Sequence, residues 1–111
     1  MVAPPGDDSR PVTDAFRLLG HRYRRHAVRV LDDHRCGLTL PDLAEEIARL
    51  EYETPVSELD SERVSEIHLL MYHRHVPKLV DGDAARYDQD RDLVAPTDRI
   101  ETLVEVLDAV E

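Results

Sequence analysis

The sequence predicts a mainly helical domain with one short β-hairpin, laid out as a winged helix-turn-helix. Two helical stretches are joined by a connection containing Pro55. Directly after the second come two short alternating segments, about 85–88 and 92–95, joined around Gln89-Asp90-Arg91. A last apolar stripe of Ile100, Leu103, Val104, Leu107 and Val110 then returns a helix to the core. The expected helices span about 13–19, 21–33, 40–51, 61–74 and 97–110.

Taken in order, residues 1–11 carry Pro4, Pro5, Gly6 and Pro11 without periodicity and read as a disordered tail ahead of one domain over 12–111. Thr13 is the expected N-cap of the first helix, with Val12, Ala15, Phe16 and Leu19 at helical spacing and Gly20 as its stop. The second helix buries Tyr23, Ala27, Val30 and Leu31, while Arg22, Arg25 and Arg29 form a ridge at i, i+3 and i+7. After the turn His34–Gly37, Leu38-Thr39 reads as a short strand pairing with the hairpin. Thr39 caps the third helix, with Asp42 completing a capping box and Pro41 tolerated in the first turn. Its apolar stripe is Leu40, Leu43, Ala44, Ile47 and Leu50; Glu45, Glu46, Arg49 and Glu51 face out.

The connection Tyr52–Leu59 is longer than the 3–4 residues of a minimal helix-turn-helix. Asp60 or Ser61 caps the fourth helix, whose core face is Val64, Ile67 and Met71. Pro77 ends it by Val76, leaving Val76, Leu79 and Val80 in an irregular last turn. In the hairpin, Tyr87 and Leu93 are the expected inward residues. Pro96 closes it, and Thr97 caps the last helix.

A chain of 111 residues, 41% hydrophobic, supports a modest core, and with 5% aromatics that core must be mostly aliphatic. No apolar run approaches the ~20 residues that span a membrane, and the N-terminus lacks a signal-peptide pattern, so a cytoplasmic protein is expected. Cys36 is the single cysteine, which excludes an internal disulfide. The net charge is -10, from 24 acidic and 14 basic residues, and Lys78 is the only lysine. That composition suits a high-salt cytoplasm, where hydrated carboxylates maintain solubility. The charge is also uneven: residues 10–36 carry seven arginines against three aspartates, a net of +4. Residues 37–111 carry seven cations against 19 acids, a net of -12.

Several short stretches carry a resemblance: Phe16-Arg17-Leu18-Leu19, Arg24-Arg25 with Val30-Leu31, the helix Leu43–Ala48, and Thr54-Pro55. Tyr72 with His75-Val76-Pro77-Lys78-Leu79, and Tyr87-Asp88-Gln89-Asp90, complete it. On these residues the chain, over about 12–98, resembles the DUF7344 family of small winged-helix proteins from halophilic archaea. The resemblance implies a winged helix and a transcriptional regulator, and makes the long Thr54-Pro55 connection expected. It implies no substrate, operator or effector.

The expected function is binding of double-stranded DNA by a regulator that forms a homodimer. A recognition helix offers side chains to base edges, and Arg63 is suited to guanine because its guanidinium bonds bidentately. Ser61, Ser65, His68 and Tyr72 are its expected companions, the hairpin's Arg86 and Arg91 reach the minor groove, and Arg22, Arg25 and Arg29 hold phosphate. Against this, Glu62 and Glu66 flank Arg63, and Asp88, Asp90 and Asp92 crowd the hairpin. Own-domain acids are equally good partners for the Arg22, Arg25 and Arg29 ridge. The rival reading is a protein-interaction module on the same scaffold. Dimer contacts are expected from Val106, Leu107 and Val110. His68 and His75 lie two turns apart, too far for a metal site, and His75 reads as a polar core position. Asp88–Asp92 imitates half of a calcium loop but has Leu93 where glycine is needed. No enzyme motif, cofactor or small-molecule ligand is evident, and Cys36 reads as idle at a turn rather than as a redox sensor.

Overall fold

The computed structural model describes residues 13–111, so the expected tail over 1–11 and the position of Val12 lie outside the described residues. It is mainly helical, with a small three-stranded antiparallel sheet in the order β1-β3-β2. Helix α1 spans 13–18 of the described residues and includes Thr13, the expected cap, within its helical turns. Ala15 and Leu19 go inward as expected, but Leu18 takes the place of Phe16, which is 52% exposed.

Helix α2 (Arg22–Asp33) is capped by His21, whose Nδ1 accepts the Tyr23 N–H at 3.1 Å. Gly37 follows with φ 84°, which brings β1 (Leu38–Thr39) against β3 (Leu93–Pro96) in the register Leu38↔Val94 and Thr39↔Leu93. Strand β2 (Ala85–Asp88) covers the other edge of β3, pairing Tyr87 with Val94. The second hairpin strand thus starts one residue later than expected, because Asp92 is held left-handed at φ 52°. That shift exchanges the inward residue of β3: Val94 is buried in place of Leu93, while Tyr87, paired with Val94 and on the same face as buried Ala85, is inward and half-buried as expected.

Helix α3 (Leu40–Tyr52) starts with the Asp42 N–H donating to Thr39 Oγ1 at 3.4 Å. Leu40, Leu43, Ala44, Ile47 and Ala48 are buried, and Leu50 is only partly so. Glu51 departs from expectation by turning inward, its side chain 15% exposed between Arg22 and His26. After a left-handed Glu53, the connection contains one 3-10 turn, Val56–Glu58, and leads to α4 (Ser61–Leu70), capped by Asp60.

The helix does not stop before Pro77. It widens into a π turn over Met71–His75, with the Val76 N–H bonded to the Met71 carbonyl, and runs on as α5 (Val76–Asp81). Proline cannot bond the carbonyl four residues back and clashes with it in a regular α-helix. The π turn re-spaces the ladder just before Pro77, which then occupies the first turn of α5, where no N–H is needed. Val76 and Leu79 are buried within regular helix, and Val80 is 39% exposed rather than in the core. Helix α6 (Arg99–Val110) starts two residues later than expected, with Thr97 Oγ1 still accepting the Arg99 N–H. Ile100, Leu103 and Leu107 are buried, and α6 packs on α2. Leu107 therefore belongs to the chain's own core and is not a dimer contact, Val106 is half-buried, and Val110 is 63% exposed.

One polar unit lies inside this core. Arg24 sits on the same stripe as Ala27, Val28 and Leu31 and is buried. Its Nε donates to the Leu18 carbonyl at 2.6 Å, its Nη2 to the Arg17 carbonyl at 3.3 Å, and its Nη1 meets His75 Nδ1 at 3.0 Å. His75 is fully buried against the His21 ring, centroids 4.3 Å apart. Because Arg24 can only donate, Nδ1 must accept, so the His75 proton sits on Nε2, which has no hydrogen-bond partner. Burial, then the neighbouring His21, Arg24, Arg74 and Lys78, hold the His75 pKa down at about 4. The His21 pKa is also lowered, by burial and by the surrounding arginines.

Three outcomes follow from this packing. A Cβ at Gly37 would lie 2.6 Å from the Val94 carbonyl oxygen at a positive φ, so Gly37→Ala should cost about 1–3 kcal/mol in chemical denaturation. Arg24→Leu strands the Leu18 carbonyl and His75 Nδ1, while the Arg17 carbonyl keeps the Gly20 N–H, and should cost about 2–4 kcal/mol in the same measurement. The third concerns pH. His75 takes up a proton near pH 6.5 when unfolded but only near 4 when folded, so the unfolded chain binds more protons between those values. The stability contributed by neutral His75 is therefore complete above pH 6.5 and lost as the pH falls towards 4, by about 3 kcal/mol in all. Urea midpoints at pH 7.5 and 4.5 should differ less for His75→Gln than for the unmodified chain.

Candidate nucleic-acid interface

Asp60 fixes the start of α4 by accepting the Glu62 N–H at 3.0 Å. With Ile67 and Met71 buried, the helical period then turns Ser61, Ser65, Leu69 and Tyr72 to the surface and leaves His68 half-exposed. Ser65, His68, Leu69 and Tyr72 line a shallow groove completed by Leu40 and Asp92. Asp92 is held there by the Tyr87 hydroxyl, which donates to its Oδ1 at 2.5 Å. That bond, with burial, pushes the Tyr87 pKa up to about 12, so the phenol keeps its proton.

Arg63 belongs to a different surface. Its guanidinium lies over the Tyr52 ring, 4.8 Å from the centroid, with Nε 3.9 Å from Asp60 Oδ2. It lines a cleft with Tyr52, Thr54, Glu58 and Leu59, on the side of the connection and not with Ser65 and His68. In the hairpin, Asp88 Oδ1 accepts the N–H groups of Asp90 and Arg91 and so shapes the turn. Arg91 projects from that turn, its side chain 77% exposed and 3.8 Å from Asp88. Arg86 is exposed and pairs with no carboxylate among the described residues.

The ridge on α2 is divided among internal partners. Arg22 Nε lies 2.5 Å from Glu51 Oε2, which raises the arginine's pKa. Arg25 donates to the Leu19 carbonyl at 2.8 Å. Arg29 spans to α6, at 3.0 Å from Asp108 and 2.8 Å from Glu111, whose hydrogen bonds raise its pKa too. The three guanidiniums thus hold helix junctions together, and their partners lie on α1, α3 and α6 rather than on α4 or the hairpin.

Several exposed groups beside these were not among the expected site residues. Leu69 is 59% exposed and Leu70 37%, which with the expected Tyr72 at 43% makes the outer face of α4 and its continuation partly apolar. Spacing could have flagged Leu69, which falls between the core positions Ile67 and Met71. Arg74 and Lys78 share one face of the α4–α5 continuation and are both exposed; the expected stop at Pro77 hid that pairing. Arg24 could have been found from the period of α2, since it stands at i, i+3, i+4 and i+7 with Ala27, Val28 and Leu31. Cys36 is exposed and free. Among the described residues no cluster of His, Cys, Asp or Glu is arranged to hold a metal ion, and no helix is long and apolar enough to cross a membrane.

Neither a curated protein nor a solved structure matches the chain. A family model does: the domain of unknown function DUF7344, over residues 16–95, from within α1 to within β3. With most of its length so matched, the chain belongs to the DUF7344 family.

Proposed function

We propose that this protein is a DNA-binding transcriptional regulator built on a winged helix-turn-helix, working in a high-salt archaeal cytoplasm. The observation that supports this reading most is the placement of α4. It follows α3 through the Tyr52–Leu59 connection, leaves Ser61, Ser65 and the following Tyr72 exposed, and shares a groove with Asp92 at the start of the hairpin's second strand. In this reading α4 is the recognition helix and the hairpin the wing, with β1 closing the wing's inner edge. Ser65 and His68 are presented at the groove, and Arg86 and Arg91 extend from the hairpin.

Arg63 joins them by leaving its stack. Its contacts with Tyr52 and Asp60 are solvent-exposed, and such contacts are each worth roughly 1 kcal/mol or less. A bidentate bond to guanine returns about 1–3 kcal/mol. The carboxylates nearby oppose DNA strongly only in dilute salt. At ~1 M salt the Debye length falls to about 3 Å, so acids not in direct contact cease to matter and local hydrogen bonds decide.

A second reading has its own observation in its favour. Leu69, Leu70 and Tyr72 together make an apolar face that a protein partner would cover, as expected of an interaction module on this scaffold. A homodimer is compatible with either reading and would use Val110 and Val106, not Leu107.

The two readings separate in fluorescence anisotropy with DNA from the gene's own upstream region and a scrambled control, titrated from low to molar KCl. The regulator prefers the upstream fragment, and the preference persists at high KCl. Arg63→Ala should then cost about 1–3 kcal/mol on that fragment and almost nothing on the control. Unchanged affinity removes Arg63 as a base reader, and no binding at any salt leaves the interaction module.

A further inference from the structure

Ion pairing divides the cations of this acidic chain into two groups. Arg22, Arg29, Arg35, Arg49, Arg63 and Arg91 each have a carboxylate partner. The other seven described cations have none among the described residues, although the chain carries 24 acids. Of these, only Arg86 lies on the hairpin; the rest gather where the end of α1 meets the π turn and α5. Arg17, Arg24, Lys78 and Arg99 line one cleft there. Arg74 stands one turn before Lys78 on the same helix face, and Arg25 is tied to the Leu19 carbonyl at the cleft's edge. Arg24 is buried, Arg99 is bonded to the Gly82 carbonyl and Arg25 to the Leu19 carbonyl, so the groups left for an outside ligand are Arg17, Arg74 and Lys78.

The electrostatic effect of this gathering is visible on its neighbours. Burial, and after it Arg74 and Arg25, lower the Arg24 pKa, while His21 and His75 are depressed by burial and by the same cations. Asp14, Asp81 and Asp83 also line the cleft, yet none forms an ion pair with these cations. Salt bridges among the described residues therefore do not account for the cluster. It also lies away from the groove of α4. The cleft and that groove have no lining residue in common.

We propose that Arg17, Arg74 and Lys78 form a second contact surface, one that takes the phosphate backbone of double-stranded nucleic acid independently of base sequence. The proposal rests on the reading of the chain as a DNA-binding protein and adds to it a site for non-specific holding. A cation with no ion-pair partner among the described residues can displace the counterions condensed on a phosphate chain. Each such contact adds about 0.9 to the slope of log K against log salt. Arg74 and Lys78, spaced by one helical turn, present two adjacent charges to one strand, and Arg17 extends the surface onto α1.

The test uses a fluorescein-labelled 20-base-pair duplex of random sequence, with anisotropy read from low to molar KCl. Arg74→Gln/Lys78→Gln should lower the salt slope by about 2 and weaken binding at the lowest salt about tenfold or more. Arg35→Gln and Arg49→Gln, which remove carboxylate-paired arginines, should leave the slope unaltered. A double variant with the unmodified chain's slope overturns the proposal, as does binding to anionic phospholipid vesicles without binding to the duplex. The α4 reading fails separately: Ser65→Ala/His68→Ala should abolish preference for the upstream fragment while keeping the random-duplex slope. Preference that survives this change sinks the α4 assignment and leaves the phosphate surface standing. Urea midpoints for all variants confirm that each is folded.

Discussion

The buried guanidinium of Arg24 is the constraint on which the rest of this fold depends. A charge inside an aliphatic core is costly unless every donor is engaged. Here three donors reach the carbonyls of Leu18 and Arg17 and the ring of His75, with no carboxylate among the described residues paired to the charge. Those carbonyls lie at the end of α1, where the Arg17 carbonyl also accepts the Gly20 N–H and no further helical turn would satisfy that of Leu18. One side chain of α2 thereby closes α1 and anchors the π turn, and it fixes the histidine tautomer by offering only donors. The α4–α5 helix is positioned by this polar clamp as well as by the apolar stripe of Ile67, Met71 and Leu79.

Charge elsewhere is distributed by structural role. The ridge of α2 is used to join helices: Arg22 to α3, Arg25 to α1, Arg29 to α6. Exposed pairs of this kind contribute little each to stability, but they fix which surfaces are left with unspent charge. The acidic excess is spread over α3, α4, the hairpin and α6, and the cations without a carboxylate partner among the described residues gather at the α1–α5 edge. A formal net charge of -10 thus conceals regions of opposite character. An electrostatic account of any partner has to start from those regions.

Most of the helices and the hairpin were legible in the sequence because they depend on local signals. The Thr39 cap, Asp60 before Ser61, the Asp88–Arg91 turn and the aliphatic periods each act over a few residues. The departures came from long-range constraints. Pro77 reads as a stop by any local rule, and only the demand to bury both His75 and Val76 carries the helix past it through a π turn. Val94 replaced Leu93 as the inward residue because the left-handed Asp92, which bonds Tyr87, set the register. Helical spacing puts Phe16 inside with Ala15 and Leu19, yet Leu18 takes its place. For the candidate site, the spacing along α4 leaves Ser65, His68 and Tyr72 off the core face, and the fold brings them to one groove. It could not reveal that Arg63 stacks on Tyr52 across the connection, or that Arg17 and Lys78 share a cleft while lying far apart in the chain.

The π turn also governs how this family of sequences can change length. A single π turn amounts to one residue inserted into an α-helix, and it rotates everything beyond it by about 100° relative to an unbroken helix. Removing one residue from Met71–His75 would restore a regular ladder while turning Val76 and Leu79 away from the core and placing Pro77 against a committed carbonyl. The segment 61–81 therefore has its residue count fixed from within. The connection over 53–60, whose residues are all at least partly exposed, has no such restriction. Insertions and deletions that preserve the fold belong in that connection, where they alter the approach of α4 to its groove without disturbing the clamp behind it.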